Sequence, residues 1–139
     1  MTVPLRADVI LEIPFHDVDV MGIVWHGHYV KYLEIARTAL MRKAGLDLAE
    51  MDATGCGWPI VTCELKYLKP LRYGQKVRVE AELLEYEQRL KVAYVLRDLD
   101  TGTRHTKATT VQIAVEVATG EVRYETPAPM VAAFERARG

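Results

Sequence analysis

Two aspartates, Asp17 and Asp19, lie two residues apart early in the chain and are the acidic groups best placed to do chemistry. They precede Gly22, a short apolar run and two histidines, His26 and His28, after which a helical pattern begins. The free N–H groups and the positive dipole end of a helix N-terminus stabilise developing negative charge. A carboxylate beside such a helix end suits acyl transfer or hydrolysis, in which an oxyanion forms.

The residues alone leave two roles open for Asp19. Its carboxylate is suited to face an acyl group as nucleophile or general base, and it is equally suited to cap the N–H groups of a turn. Asp17 is interpreted as its structural partner, with a catalytic role as the alternative.

The segment around these residues resembles the active-site signature of the hotdog-fold acyl-CoA thioesterases, in the branch of 4-hydroxybenzoyl-CoA thioesterase. The shared pattern begins with Asp-x-Asp-x-x-Gly and continues through an aromatic residue and His or Tyr into the helix. Its residues in this chain are Asp17, Asp19, Gly22, Ile23, Val24, Trp25, His26, Tyr29, Tyr32, Leu33 and Glu34. Matches at so many fixed spacings make the resemblance specific.

The resemblance implies a catalytic set of three residues. Asp19 matches the carboxylate that the family uses on the thioester carbonyl. The backbone N–H of His26, assisted by that of Gly27, is then a donor to the oxyanion, and loss of one such donor typically lowers the rate by about 100-fold or more. The imidazole of His26 is also placed to bond the substrate or to orient Asp19.

A second set of residues is predicted to contact the substrate, and each also has a plainer explanation. The plainer explanations are a turn for the glycine, core packing for the two aromatic residues, an exposed strand face for the threonine and solvated surface charge for the two basic residues. The predicted contacts are Gly22, Trp25, Tyr29, Thr62, Arg89 and Lys91, of which the last two are expected to bind the CoA phosphates.

The histidines and aspartates raise the question of a metal, but their spacing matches no compact set of ligands. We therefore expect neither a metal nor another cofactor. The two cysteines, Cys56 and Cys63, are too few for a disulfide framework and are expected to be reduced.

The pattern of the whole chain predicts one strand, one long buried helix and then a run of antiparallel strands. The helix is expected over 27–44, with Gly45 as its stop. A short helical turn (47–53), strands (8–13, 60–68, 77–86, 90–96, 105–117 and 122–124) and a terminal helix (127–137) complete the prediction. This is an α+β layout. The resemblance identifies it as a hotdog fold, a curled antiparallel sheet wrapped around one central helix.

Length and composition narrow the classes of protein further. The 139 residues favour a single domain over 1–139, and 18 basic against 19 acidic residues give no basic surface for nucleic acid. No apolar stretch is long enough to span a bilayer, and a cytoplasmic location follows as an expectation.

These observations together predict an acyl-CoA thioester hydrolase. Unpaired sheet edges and a partly uncovered helix favour a homodimer that continues the sheet, and the resemblance implies that dimers often pair into homotetramers. Three alternatives stay open: a thioesterase for acyl-carrier-protein substrates, a non-catalytic acyl-CoA-binding module, and a hotdog dehydratase, whose His-Phe-Pro loop is missing here.

Overall fold

The structure, a computed structural model, describes residues 3–139. A five-stranded antiparallel sheet and one long helix form its centre. The helices are α1 (Tyr29–Lys43), α2 (Leu48–Asp52) and α3 (Ala128–Ala137). The strands are β1 (Arg6–Glu12), β2 (Cys56–Gly57), β3 (Ile60–Tyr67), β4 (Lys76–Glu85), β5 (Leu90–Asp98), β6 (Arg104–Gln112), β7 (Ala114–Glu116) and β8 (Val122–Arg123).

The large sheet has the strand order β1-β4-β5-β6-β3, so β3 lies at one edge although it precedes β4 in the chain. Strands β4 and β5 alternate over most of their length between buried and more exposed side chains, because successive residues of a strand face opposite sides. The buried members of β4 and β5 form the floor of the core, and they are Val77, Val79, Ala81, Leu83, Leu90, Val92, Tyr94 and Leu96.

Helix α1 packs against β1 and β4. Its buried side chains recur every three or four residues, as expected of one helix face: Tyr29, Tyr32, Leu33, Ala36, Leu40 and Met41. Gly45 follows with φ +76°, a left-handed conformation that ends the helix. The apolar pattern of this segment predicts a helix that is buried on most sides. That prediction is wrong for the single chain, because Val30 and Ile35 of α1 are each 41 % exposed.

The structure corrects two predicted boundaries. A turn of 3-10 helix at His26–His28 precedes α1, which therefore begins at Tyr29 rather than at Gly27. The long strand predicted over 105–117 is divided at Ile113, because β7 leaves the large sheet and pairs with β2 and β8 in a separate three-stranded sheet. The α+β hotdog architecture itself is confirmed. Within residues 3–139, no helix is long and apolar enough to cross a membrane.

Removal of the side chain of Leu40 tests the packing of α1. Leu40 is fully buried, so Leu40→Ala leaves a cavity, and we expect it to lower the free energy of unfolding by about 3 kcal/mol. Leu48 is 71 % exposed, and the matched change Leu48→Ala should cost less than about 1 kcal/mol. Chemical denaturation measures both; equal losses would contradict this placement of α1.

Candidate active site

The carboxylate of Asp17 joins the loop before α1 to the helix itself. It is 1 % exposed, and Lys31 Nζ donates to Oδ1 at 2.7 Å and to Oδ2 at 2.8 Å. Tyr32 Oη donates to Oδ2 at 2.5 Å. Two histidines flank the same carboxylate, with His16 Nε2 at 3.7 Å and His28 Nδ1 at 3.9 Å from Oδ1.

Burial and hydrogen bonding oppose each other at this carboxylate. Burial alone would raise the pKa of Asp17, but the hydrogen bonds from Lys31 and Tyr32 and the charge of Lys31 outweigh it and hold that pKa below its usual value. Burial, together with the hydrogen bond to the carboxylate, raises the pKa of Tyr32. Asp17 is therefore an ionised carboxylate both of whose oxygens accept hydrogen bonds from protein donors.

Asp19 has the opposite environment. Its residue is exposed, and Oδ1 accepts one hydrogen bond, from the backbone N–H of Met21 at 2.8 Å. Its backbone closes the turn: its N–H donates to Ile23 O at 2.8 Å, and its carbonyl accepts from Gly22 at 2.9 Å, where φ is +79°. The turn-capping role is thus present, and Oδ2 has no hydrogen-bond partner among residues 3–139.

The other arm of the loop carries the free helix end. The first N–H groups of a helical segment have no intrahelical acceptor, and here they belong to His26 and Gly27. The N–H of the preceding Trp25 donates to the carbonyl of Asp17 at 3.1 Å. Asp17 therefore holds both arms of the loop, one through its side chain and one through its backbone.

The ring of Trp25 lies directly over Gly27. A Cβ added at Gly27 would lie 2.2 Å from the ring, so only glycine leaves room for this arrangement. The ring also contacts the imidazoles of His26 and His28, at centroid distances of 5.0 and 5.4 Å. Trp25 is 49 % exposed, so it forms an aromatic wall beside the free N–H groups rather than part of the core.

A second loop, residues 68–75 between β3 and β4, supports the site together with the last residue of β3. The N–H of Val24 donates to Leu71 O at 2.8 Å, and Tyr67 Oη donates to the carbonyl of His26 at 3.0 Å. Tyr29 is 2 % exposed, and its hydroxyl accepts from the N–H of Leu71. Tyr29 thus lies in the core beneath the site, and Tyr67, half exposed, is the tyrosine at its surface.

The second loop is itself fixed by polar groups. Gln75 Oε1 accepts from the N–H of Arg72 at 3.0 Å, while its Nε2 donates to Asp98 at 2.8 Å. His105 Nδ1 lies 3.1 Å from Pro70 O, so that nitrogen carries the proton in this contact. Hydrogen bonds from the backbone of Thr101, from Gln75 and from Asp100 lower the pKa of Asp98 to about 2.

The remaining predicted contacts lie apart from Asp19 within one chain. Thr62 is exposed on edge strand β3. Arg89 and Lys91 lie at the end of β4 that is opposite to the site: Lys91, on β5, pairs with Glu85, whereas Glu12, just before the site loop, pairs with Lys76 at the start of β4. The ten residues of β4 span about 33 Å. Arg89 is also paired with Glu85, with Nε 2.8 Å from Oε2.

The structure adds residues that sequence reasoning missed, above all Lys31, Tyr67 and Gln75. Lys31 lies 14 residues from its partner Asp17, so no local spacing indicates the contact. Glu34 and Arg37, three residues apart on α1, form an ion pair at 2.5 Å, and the side chain of Arg37 is largely buried. No group of three or more metal-binding side chains is found within residues 3–139.

Comparison with known proteins identifies the family. The sequence pattern of the thioesterase-like superfamily matches residues 13–137. The chain belongs to this superfamily. The putative acyl-CoA thioesterase YneP of Bacillus subtilis is 32 % identical to this chain over 107 residues. The matched region covers 76 % of this chain and 77 % of YneP. The prediction of a thioester hydrolase is thereby confirmed at the level of the family.

Solved structures agree with this assignment. The DHNA-CoA thioesterase of Staphylococcus aureus superposes with a TM-score of 0.79 and 25 % identity, over 86 % of this chain and 80 % of that one. A mutant 4-hydroxybenzoyl-CoA thioesterase, complexed with 4-hydroxybenzoyl-CoA, superposes with a TM-score of 0.81 over 93 % of this chain and 98 % of that one. At 20 % identity, the second likeness bears on the fold alone.

The bonds of Asp17 predict an acid-sensitive stability. Because its pKa is lowered on folding, its contribution is complete above the pKa of an unfolded aspartate, near 3.8, and is lost as the pH falls through the lower folded value. We expect Asp17→Asn to lower the free energy of unfolding at pH 7 by about 2 kcal/mol. Denaturation at pH 7 and near pH 2 should show a difference from the wild type that shrinks in acid; a constant difference would contradict the role of the charge.

Proposed function

We propose that the chain hydrolyses acyl-CoA thioesters to a carboxylic acid and CoA. One observation carries this proposal: the exposed carboxylate of Asp19 and the free N–H groups of His26 and Gly27 stand on two arms of one loop that Asp17 closes. This combination offers a base or nucleophile and an oxyanion site within a short distance along the chain.

Two routes use these groups. In the first, an oxygen of Asp19 attacks the thioester carbonyl carbon, the C–S bond breaks with release of CoA thiolate, and water hydrolyses the mixed anhydride. In the second, Asp19 takes a proton from a water molecule that attacks the same carbon, and the C–S bond of the tetrahedral intermediate then breaks to give the carboxylic acid and CoA thiolate, which takes up the proton from Asp19. In both, the N–H groups of His26 and Gly27 hold the developing oxyanion.

The environments of the two aspartates support Asp19 rather than Asp17 as the reacting group. The oxygens of Asp17 are bonded to Lys31 and Tyr32, and a nucleophile bound in this way would have to break those bonds first. Asp19 keeps an oxygen without a partner in residues 3–139. We therefore assign Asp17 to positioning and Asp19 to chemistry.

The surroundings of the loop support an acyl substrate with an apolar part. A cluster of exposed apolar side chains on a protein surface often marks a binding site. Here Met21, Trp25 and Tyr67 are exposed and lie on or beside the segment that bears the reacting groups. The names of YneP and of the DHNA-CoA thioesterase also favour CoA as the carrier. A carrier-protein thioester is the second candidate, and a homodimeric or homotetrameric, cytoplasmic enzyme remains our expectation.

Replacement of Asp19 tests the proposal directly. We expect Asp19→Asn to keep the fold and to lower kcat by at least about 100-fold, because the exposed side chain contributes to the reaction rather than to the core. Release of free thiol is measured on acetyl-, hexanoyl-, palmitoyl-, benzoyl- and phenylacetyl-CoA.

The matched control is Asp52→Asn. Like Asp19, Asp52 is exposed, but it lies at the end of the short helix α2. It should leave turnover unchanged. If the wild type hydrolyses none of the CoA esters but does hydrolyse a carrier-protein thioester, the second candidate is favoured. If the wild type hydrolyses neither kind of thioester, the proposed hydrolysis is wrong and a non-catalytic binding module is the remaining alternative.

The predicted phosphate contacts are tested by charge reversal. Because Arg89 and Lys91 lie apart from Asp19 within one chain, they are proposed to contact the CoA bound at the site of a second copy. The double change Arg89→Glu, Lys91→Glu should then raise KM for acyl-CoA several-fold with little change in kcat, because phosphate contacts bind ground state and transition state alike. KM for the N-acetylcysteamine thioester of the same acyl group, which has no phosphate, should stay constant. An unchanged KM for acyl-CoA would remove both residues from the site.

A further inference from the structure

His105 occupies an irregular place on β6, next to the second loop of residues 68–75. The residues on either side of it pair with two consecutive residues of β5, so His105 is an extra residue with no partner on that strand. Such a bulge turns a side chain away from the regular alternation of its strand. The imidazole of His105 thereby faces the second loop.

Both the backbone and the ring of His105 hold this loop. Its carbonyl accepts from the N–H groups of Leu68 at 2.9 Å and of Lys69 at 3.1 Å. Ring Nδ1 lies 3.1 Å from Pro70 O and 3.3 Å from Lys69 O, and ring Nε2 lies 3.3 Å from Gln75 Nε2. One histidine therefore contacts both the first residues and the last residue of the loop.

The orientation of the Gln75 amide is set by its other two contacts. Hydrogen bonds from the backbone of Thr101 and from Gln75 lower the pKa of Asp98 to about 2, so this ionised carboxylate only accepts. Its Oδ2 lies 2.8 Å from the Gln75 nitrogen, and the Gln75 oxygen lies 3.0 Å from the N–H nitrogen of Arg72. The atom that Gln75 presents to His105 is therefore its nitrogen, which is a donor.

These contacts accept one form of the imidazole ring. Because the Gln75 nitrogen donates, Nε2 of His105 has to accept and carries no proton. The atoms that face Nδ1 are both carbonyl oxygens, so the single ring proton lies on Nδ1. A second proton, on Nε2, would set two donors against each other. Histidine is the side chain that gains such a proton between about pH 5 and 8.

The ionisable groups near the ring carry charges of both signs. Asp98, the last residue of β5, is the acid of this network, and none of the ion pairs in residues 3–139 involves it or His105. The other ionisable side chains on the elements that meet here are Tyr67, Lys69, Arg72, Tyr73, Lys76, Arg97, Asp100, Arg104 and Lys107. Since no ion pair holds the ring in a charged form, its hydrogen bonds decide which form fits.

The second loop carries this constraint to both arms of the site loop. Leu71 O accepts from the N–H of Val24 at 2.8 Å, two residues before the N–H groups that are proposed to hold the oxyanion. Arg72 forms an antiparallel bridge with Ile23, whose carbonyl accepts from the N–H of Asp19 at 2.8 Å. A displacement of residues 70–72 therefore moves the backbone of both reacting arms.

We propose that neutral His105 is a positioning residue for the hydrolysis, and that its protonation releases the second loop and lowers turnover. The ring contacts no reacting group; it acts through the loop on Asp19 and on the N–H groups of His26 and Gly27. The effect on turnover rests on the proposed function, whereas the release of the loop does not.

Asparagine at position 105 tests the role of the second proton, because its amide is able to donate to Pro70 O from the place of Nδ1 and does not titrate. Between pH 7.5 and 5.5, kcat should fall about five-fold more in the wild type than in His105→Asn. The measurement uses the acyl-CoA that is hydrolysed fastest at pH 7.5. His26 and His28 are present in both proteins, so any fall that they cause is shared.

The matched control is Thr109→Asn, further along β6, which should keep the pH profile of the wild type. Equal falls of kcat in the wild type and in His105→Asn would overturn the proposal. The same result follows if Thr109→Asn changes the profile as much as His105→Asn does, because the bulge would then have no special role.

Hydrogen exchange tests the loop without any substrate. The exchange rate of residues 68–75 is compared between wild type and His105→Asn at one pH, where the intrinsic rates are equal. The ratio of wild type to variant should rise about three-fold or more from pH 7.5 to 5.5. A constant ratio would overturn the proposal. A rising ratio in a protein that hydrolyses no thioester would support the release of the loop and contradict the proposed hydrolysis alone.

Discussion

The bonds of the Asp17 carboxylate are the interaction on which the rest of the site depends. The loop that contains both aspartates has only one turn of 3-10 helix, at Phe15–Asp17, and a single antiparallel bridge between Val18 and Val24. Its attachment to α1 through Lys31 and Tyr32 converts it into a fixed bridge between β1 and the helix. Without that attachment, the loop would be free to move relative to the free N–H groups at the start of the helical segment.

The same interaction explains why two aspartates so close in sequence differ in behaviour. A carboxylate has about four lone-pair positions, and three donor contacts from Lys31 and Tyr32 occupy most of those on Asp17. Asp19 lies beyond the reach of these donors and takes one backbone N–H. One acid therefore contributes stability and the other remains available, a division of roles that follows from placement rather than from residue type.

Regular periodicity allowed most of the fold to be predicted. The spacing of apolar residues in α1 and the alternation in β4 and β5 report directly on burial, because each residue's side is set by the geometry of its own element. The division at Ile113 was missed because β6 and β7 share one continuous β-type pattern, and only the arrangement of the partner strands separates them. Local pattern contains no information about which sheet a strand joins.

The candidate site was predictable to the extent that it is contiguous in the chain. The aspartates, Gly22 and the start of the helix lie within one short segment, and their order already indicates a carboxylate beside an oxyanion site. The contacts of Lys31, Tyr67 and Gln75 join residues 14 to 41 positions apart, and their polar side chains are typical of any solvated surface. Such long-range bonds become visible only when the elements are placed.

Tyr67 links the edge of the large sheet to the candidate site. Tyr67 ends the edge strand and at the same time donates to the carbonyl of His26, the residue whose own N–H faces the proposed oxyanion. Its ring also packs edge-to-face on Tyr29 at 4.8 Å, so it is fixed from two sides. The backbone of His26 is therefore held in place by the last residue of the edge strand through a single hydrogen bond.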